Sequence, residues 1–272
     1  MSDKNAVVTD DIVNEYERNG AVLLRQLVKG GWADLIELGL ERAIRNPSGL
    51  ARDLFPGTDK AFYYDDYNYA VVPEWQILLR DSPIVDVVAS ILRTKELRLF
   101  YDQIFIKKGG QERRTPWHQD TPYWSCVGRQ YCNLWITIDP LPTEESLEFV
   151  RGSHLGPLYA GGDFGEGVPQ QPGPPLPDID GQRDRFDILA FPIERGDVVM
   201  FHPSMLHGGG AVSAERRRRT LALKFFGDDV VYVRRPKPSP PFPGLAEVNK
   251  EGEALRSSWF PLLYPRPSQP VF

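Results

Sequence analysis

The sequence predicts a mainly β protein, a sandwich or barrel, flanked by α-helices. Three observations carry this. From about residue 95 onward, apolar and alternating runs of strand length recur between turn-rich pieces. Helical spacing of apolar residues is confined to the first ninety or so positions. Helices first and strands later is not the alternation that builds a parallel doubly wound sheet. No GxGxxG follows a strand, and neither GxxxxGK[ST] nor GxSxG occurs, so the common nucleotide loops and the hydrolase elbow are excluded.

The elements follow in chain order. Thr9 caps a helix that starts at Asp10 and Asp11, where acidic charge suits the helix dipole, and Gly20 ends it. Residues 21–28 read as a short buried strand. Trp32, Leu35, Ile36, Ala43 and Ile44 give 31–45 helical spacing. Ser82 as cap and Pro83 at the first helical position open a further helix. Its stripe of Ile84, Val87, Val88, Ile91 and Leu92 should pack on a sheet. Strands are expected over 97–106, 131–138, 146–150, 197–202, 220–226 and 229–233. Residues 161–181 hold 11 Gly or Pro in 21 positions, which excludes helix and interior strand and suggests either an active-site lid or a surface insertion. Trp259, Phe260 and Tyr264 should tack the tail onto the core. No second-domain boundary is visible. We expect a single domain over 1–272, with a helical part at about 1–94, a barrel core at about 95–233 and a tail at 234–272.

Composition bounds the function. Of 272 residues, 41% are hydrophobic, enough for a full core. The net charge of -5 and the isolated basic run 216–219 speak against a nucleic-acid partner. No apolar run is long enough to span a membrane. The polar, acidic start lacks the pattern of a signal peptide, so the expected location is cytoplasmic. Cys126 and Cys132 are too few for a disulfide framework and read as reduced core thiols.

There are four histidines: His118, His154, His202 and His207. His118 lies in TPWHQD, two residues before Asp120. On an extended strand both point to one side, where a nitrogen and an oxygen can meet one metal ion. His207 in FHPSMLHGGG offers a third ligand, with His202 as its rival. The three glycines that follow His207 should let the backbone approach the metal. Two histidines and one carboxylate leave metal positions open, the arrangement of non-haem Fe(II) oxygenases. HxD alone is a common coincidence. A non-catalytic barrel and a Zn(II) hydrolase or isomerase stay open, although the HExxH helix of one hydrolase class is absent.

Four pieces in order narrow the choice: DQIFIKK (102–108), WHQDTPYW (117–124), LEFVRGSHLG (147–156), and GDVVMFHPSMLHGGG (196–210) followed by RRRRTLALKFF (216–226). Together they resemble the phytanoyl-CoA dioxygenase family of Fe(II)/2-oxoglutarate oxygenases. The resemblance implies a double-stranded β-helix, a jelly-roll or cupin-like barrel. It implies Fe(II) held by His118, Asp120 and His207, with 2-oxoglutarate and O2 as cosubstrates. It places an arginine on the strand after the distal histidine against the far carboxylate of 2-oxoglutarate, a position that falls on Arg218, although Arg216, Arg217 and Arg219 are neighbours. Trp135 and Gln103 are further cofactor-side candidates, and Asn133 shares Gln103's need for a partner when buried. The family's upstream lysine has no counterpart in FYYDDYNY (62–69), whose Tyr63, Tyr64 and Tyr67 form either a substrate entrance or a packed aromatic patch. His154 reads as structural. Halogenating relatives lack the carboxylate, so Asp120 implies hydroxylation, with desaturation, cyclisation and epimerisation open. The substrate is expected to be a partly apolar small molecule, given Trp117, Tyr123, Trp124 and Trp135; its identity and the oligomeric state are not legible.

Overall fold

A computed structural model describes residues 8–53, 62–108, 114–160 and 172–267. Its elements run α1 (Asp10–Asn19), β1 (Ala21–Leu24), α2 (Gly31–Arg45), β2 (Arg52–Asp53), β3 (Phe62–Asp66), α3 (Pro73–Asp81), α4 (Ile84–Ile91), β4 (Leu97–Lys108), β5 (Thr115–His118), β6 (Cys126–Val127) and β7 (Tyr131–Thr137). They continue with β8 (Leu147–Val150), β9 (Ile188–Ala190), β10 (Val198–Phe201), β11 (His207–Gly209), β12 (Arg217–Phe226), β13 (Val231–Tyr232), α5 (Leu245–Val248) and β14 (Leu262–Tyr264).

The strands form two antiparallel sheets of a jelly roll. The large one runs β1-β10-β7-β12-β4-β3-β2, with β14 added beside β4. The small one runs β5-β11-β8-β9, and β13-β6 make a separate ribbon. Alternation along β12 sorts the core. Leu221, Leu223 and Phe225 point outward, where with Leu134, Ile136 and Leu99 they pack under the apolar stripes of α2, α3 and α4. Arg218, Thr220, Ala222 and Lys224 point inward, toward the small sheet. Trp135, Leu147, Phe149 and Phe201 fill part of the space between the sheets.

The expected helices and strands form, with differences that have local causes. Thr9 Oγ1 accepts from Ile12 N, and Gly20 ends α1 in the left-handed region. β1 stops at Leu24 because the chain turns at Gln26, whose φ is +53°. Ser82 closes α3 and Pro83 caps α4, one residue later than expected; the Ser82 hydroxyl still accepts from Ile84 N at 3.3 Å. The first ninety residues supply the expected strand as β1 and add β2 and β3 to the large sheet, which the sequence reading did not anticipate. Only Val231–Tyr232 of 229–233 are extended. Phe260 is buried, Trp259 packs on Tyr67 and Phe242, and Tyr264 lies on β14, so the tail is fixed as expected. Both cysteines are free thiols in the core. Most of the proposed lid, 161–171, lies outside the described residues. Its far end is seated: Trp117 Nε1 donates to Asp180 at 3.0 Å and Ile179 is buried beside it. No helix among the described residues is long and apolar enough to cross a membrane.

Candidate active site and metal centre

The small sheet brings two histidines together by register. His118 ends β5, and its cross-strand partner on β11 is His207. Their ring centroids lie 4.1 Å apart. Asp120 arrives differently from the strand argument. β5 has already ended, and Asp120 has helical backbone angles at the start of a 3-10 turn. Its amide donates to Pro203 O at 2.8 Å, so the loop between β10 and β11 pins the turn that delivers the carboxylate.

The ring orientations are decided by hydrogen bonding. His118 Nδ1 meets Pro116 O at 2.8 Å, and His207 Nδ1 meets Met205 O at 3.0 Å. A carbonyl only accepts, so each Nδ1 carries the proton and each Nε2 turns a lone pair inward. Both Nε2 atoms face Asp120 Oδ1, at 3.4 and 4.0 Å. Burial pushes His207 down to about 4, with His118 adding to the effect, so it is neutral, as a metal ligand must be. Burial pushes the Asp120 carboxyl up, yet the two imidazoles it faces, His118 and His207, outweigh burial and set the direction well below the usual carboxylate range, so Asp120 is ionised, as a metal ligand must be. Three acceptor atoms within 4.8 Å of one another, with no donor among them, form a cluster that a cation resolves. The donor set fits a divalent iron.

Asn133 on β7 steadies this cluster. Its amide donates to Asp120 Oδ2 at 2.6 Å, leaving Oδ1 to the histidines. His202, the rival ligand, is elsewhere: its Nδ1 accepts from Ser204 N, and its ring sits edge-on against Tyr131. His154 bonds Glu17 O, in keeping with a structural role. The glycines after His207 act on the sheet rather than toward the metal. A Cβ on Gly208 would stand 3.0 Å from Thr115 O, and one on Gly210 would overlap Glu144 O, so they let β11 fit between β5 and its other neighbour.

The arginine run is resolved by exposure and by face. Arg216 and Arg217 are exposed. Arg219 turns outward to Asp139, Glu37 and Glu41. Arg218 points inward and is buried, with Nη1 donating to Glu145 O at 2.8 Å, its Nε without a partner, and its guanidinium 5.5 Å from the Trp135 ring. Its cross-strand partner is Lys107, also buried, whose Nζ donates to Thr115 Oγ1 at 2.9 Å. Burial lowers Arg218 to about 10. Burial, then the charge of Arg218, lowers Lys107 to about 7. Among the described residues neither makes an ion pair. Lys107 carried no sequence signal beyond sharing a strand face with Gln103. Gln103 itself lies four residues along β4 from Lys107, where its amide engages Lys224 and Asp66.

A jelly roll with two histidines and a carboxylate converging between its sheets, beside a buried cation pair, defines the class of Fe(II)/2-oxoglutarate-dependent oxygenases. Comparison with known proteins agrees. The chain belongs to the phytanoyl-CoA dioxygenase family, whose profile matches residues 16–220. It is 24% identical over 243 residues to a probable phytanoyl-CoA dioxygenase of Caenorhabditis elegans, covering 79% of this chain and 74% of that one. Its fold is similar to the non-haem alpha-ketoglutarate-dependent carbocyclase SnoK from nogalamycin biosynthesis: TM-score 0.74, 19% identity, 94% of this chain and 96% of that chain. It is also similar to the epimerase SnoN in complex with Fe3+, alpha-ketoglutarate and nogalamycin RO: TM-score 0.73, 20% identity, 93% and 98% covered.

Proposed function

We propose that the chain is a single oxygenase domain that hydroxylates a small molecule, with His118, Asp120 and His207 as iron ligands and Arg218, Lys107 and Trp135 holding 2-oxoglutarate. The observation that carries this is the pair of adjacent buried cations that no carboxylate contacts directly among the described residues, Glu145 acting on Arg218 only through space. Two buried charges without an anion are costly, and a carboxylate relieves both. The Arg218 fork suits a carboxylate's two oxygens, and its unpartnered Nε is the free prong. With iron bound, O2 and 2-oxoglutarate together supply an oxidant able to remove a substrate hydrogen, yielding succinate and CO2.

The residues supply position. The two Nδ1–carbonyl bonds fix the imidazoles, and Asn133 fixes the carboxylate. SnoK and SnoN, by their names a carbocyclase and an epimerase, support a second reading in which the substrate closes a ring or inverts a centre. Anaerobic titration of the protein with Fe(II) and 2-oxoglutarate, followed by visible absorbance, tests the site. A charge-transfer band that is absent in His207→Ala is expected; iron binding without a band sinks the oxygenase reading. Product mass then separates the outcomes: one oxygen gained for hydroxylation, two hydrogens lost for cyclisation, no change for epimerisation.

A further inference from the structure

The inner face of the large sheet has a second charged end. Lys224 lies six residues beyond Arg218 on the same face of β12, roughly 20 Å along an extended strand. It is buried, and its cross-strand partners are Tyr101 and Asn133. Nζ donates to Gln103 Oε1 at 2.9 Å and stands 4.5 Å from the Tyr101 ring. The Gln103 amide also bonds Asp66, its partner on β3. Asp66 Oδ1 is shut off from water and has no partner. A chain Lys224–Gln103–Asp66 therefore presents an ammonium with donors to spare beside a carboxylate oxygen with nothing to accept.

A purely structural network would satisfy its members. Asp102 shows what that looks like here: buried behind the sheet, it accepts from Asn68 N and Tyr69 N. Burial pushes Lys224 down to about 8 and Asp66 up to about 6, the mark of groups stripped of water. Gln103 and Asp66 are only half-buried as residues, so this end lies near the protein surface although Asp66 Oδ1 itself is covered. The face next to it is aromatic. Phe62 and Tyr64 on β3 and Phe105 on β4 are half-buried on the same side, with the Phe62 and Phe105 rings 6.2 Å apart. The iron ligands are close by, because Lys224 pairs with the Asn133 that holds Asp120.

We propose that Lys224, Asp66 and Gln103 form the substrate-recognition end of the pocket, selecting a flat, uncharged ring compound that carries two neighbouring oxygens. One oxygen accepts from Lys224 Nζ, and the other, a hydroxyl, donates to Asp66 Oδ1. The ring lies along Phe62, Tyr64 and Phe105. Lys224 and Asp66 meet only through Gln103, and Asp120 also acts on Lys224, so an anionic substrate at this end would face carboxylates already set around the ammonium. One strand spacing, about 4.8 Å, separates Lys224 from the residue that steadies Asp120, so the carbon offered to the metal is within a few bonds of the recognised oxygens. The inference rests on the oxygenase reading for the position of the metal.

The test uses anaerobic protein loaded with Fe(II) and 2-oxoglutarate, with calorimetric binding of three probes: trans-1,2-dihydroxytetralin, tetralin and 2-naphthoate. The diol is expected to bind at least tenfold tighter than either control. Lys224→Met and Asp66→Asn should each remove most of that advantage while tetralin and 2-oxoglutarate bind as before, and the double variant should be no worse than the singles. A diol that binds no tighter than tetralin, a preference for naphthoate, or variants that weaken diol and tetralin alike would each overturn the proposal. Failure of the oxygenase reading appears separately, as wild-type protein that does not bind 2-oxoglutarate.

Discussion

The two faces of β12 treat charge in opposite ways. On the outer face Arg219 meets Asp139, Glu37 and Glu41, and among the described residues every short contact of its guanidinium is a carboxylate. On the inner face, one residue away, Arg218 is equally buried and has a single backbone carbonyl. The outer charge is neutralised by the fold and ties α2 to the sheet. On the function proposed above, the inner charge is kept for 2-oxoglutarate. Neighbouring residues of one type thus differ by the direction of a single Cβ, and the absence of a contacting carboxylate among the described residues is what sets Arg218 apart.

The sharpest way to break this comparison is to remove each arginine in turn. Arg218→Met should weaken 2-oxoglutarate binding by about 30-fold or more, the cost of losing one partner of a buried charge pair. The ligand-free protein should melt no lower than wild type, since an unpaired buried charge is gone. If 2-oxoglutarate binds Arg218→Met as before, the face comparison is wrong. Asn133→Ala should weaken Fe(II) binding by about 10- to 100-fold through loss of the bond to Asp120 Oδ2, read by metal titration. Lys107 predicts a pH dependence. In the free protein it is lowered to about 7, and a bound carboxylate favours its charged form. Binding therefore takes up a proton above pH 7. Affinity for 2-oxoglutarate should fall as pH rises past 7, by up to about tenfold per unit; Lys107→Met should flatten the profile. The same lowering costs stability below pH 7 and returns it as pH rises from 7 toward the unfolded lysine value, because the unfolded chain binds more protons in that window. The smallest effect belongs to the outer face. Arg219→Met should lower stability by about 1 kcal/mol, as expected for a network whose carboxylates are partly exposed, and leave 2-oxoglutarate binding unchanged; a loss of binding there would mean the faces are not independent.

Much of the iron site was legible because its residues are scarce. Four histidines in the chain leave few ligand sets, and the sequence left His202 as a rival to His207 until the structure turned it toward Ser204 and Tyr131. Arg218 needed the resemblance, since alternation does not distinguish it from Arg216; exposure does. The route by which Asp120 reaches His118 was misread, because a two-residue spacing is met by a pinned turn as well as by a strand. Lys107, Lys224 and Asp66 were not legible as a group. On a strand a lysine usually marks a solvated face, and only cross-strand register puts these three on the inner side. β3 was read as either a substrate entrance or an aromatic patch, and not as a strand, because FYYDD alternates in no clear hydrophobic pattern; its two aspartates serve different faces, Asp65 buried with Ser48 and Asp66 toward Gln103.

His118 and His207 are cross-strand partners on strands of four and three residues, so the metal centre exists only when that pairing is in place. A slip of one residue would bring Gly208 or Leu206 opposite His118 and turn the ligand set apart. Iron capture is thereby tied to the assembly of the small sheet: a molecule that has closed its barrel in the wrong alignment discards the ion, and one that holds the ion has the alignment proofread.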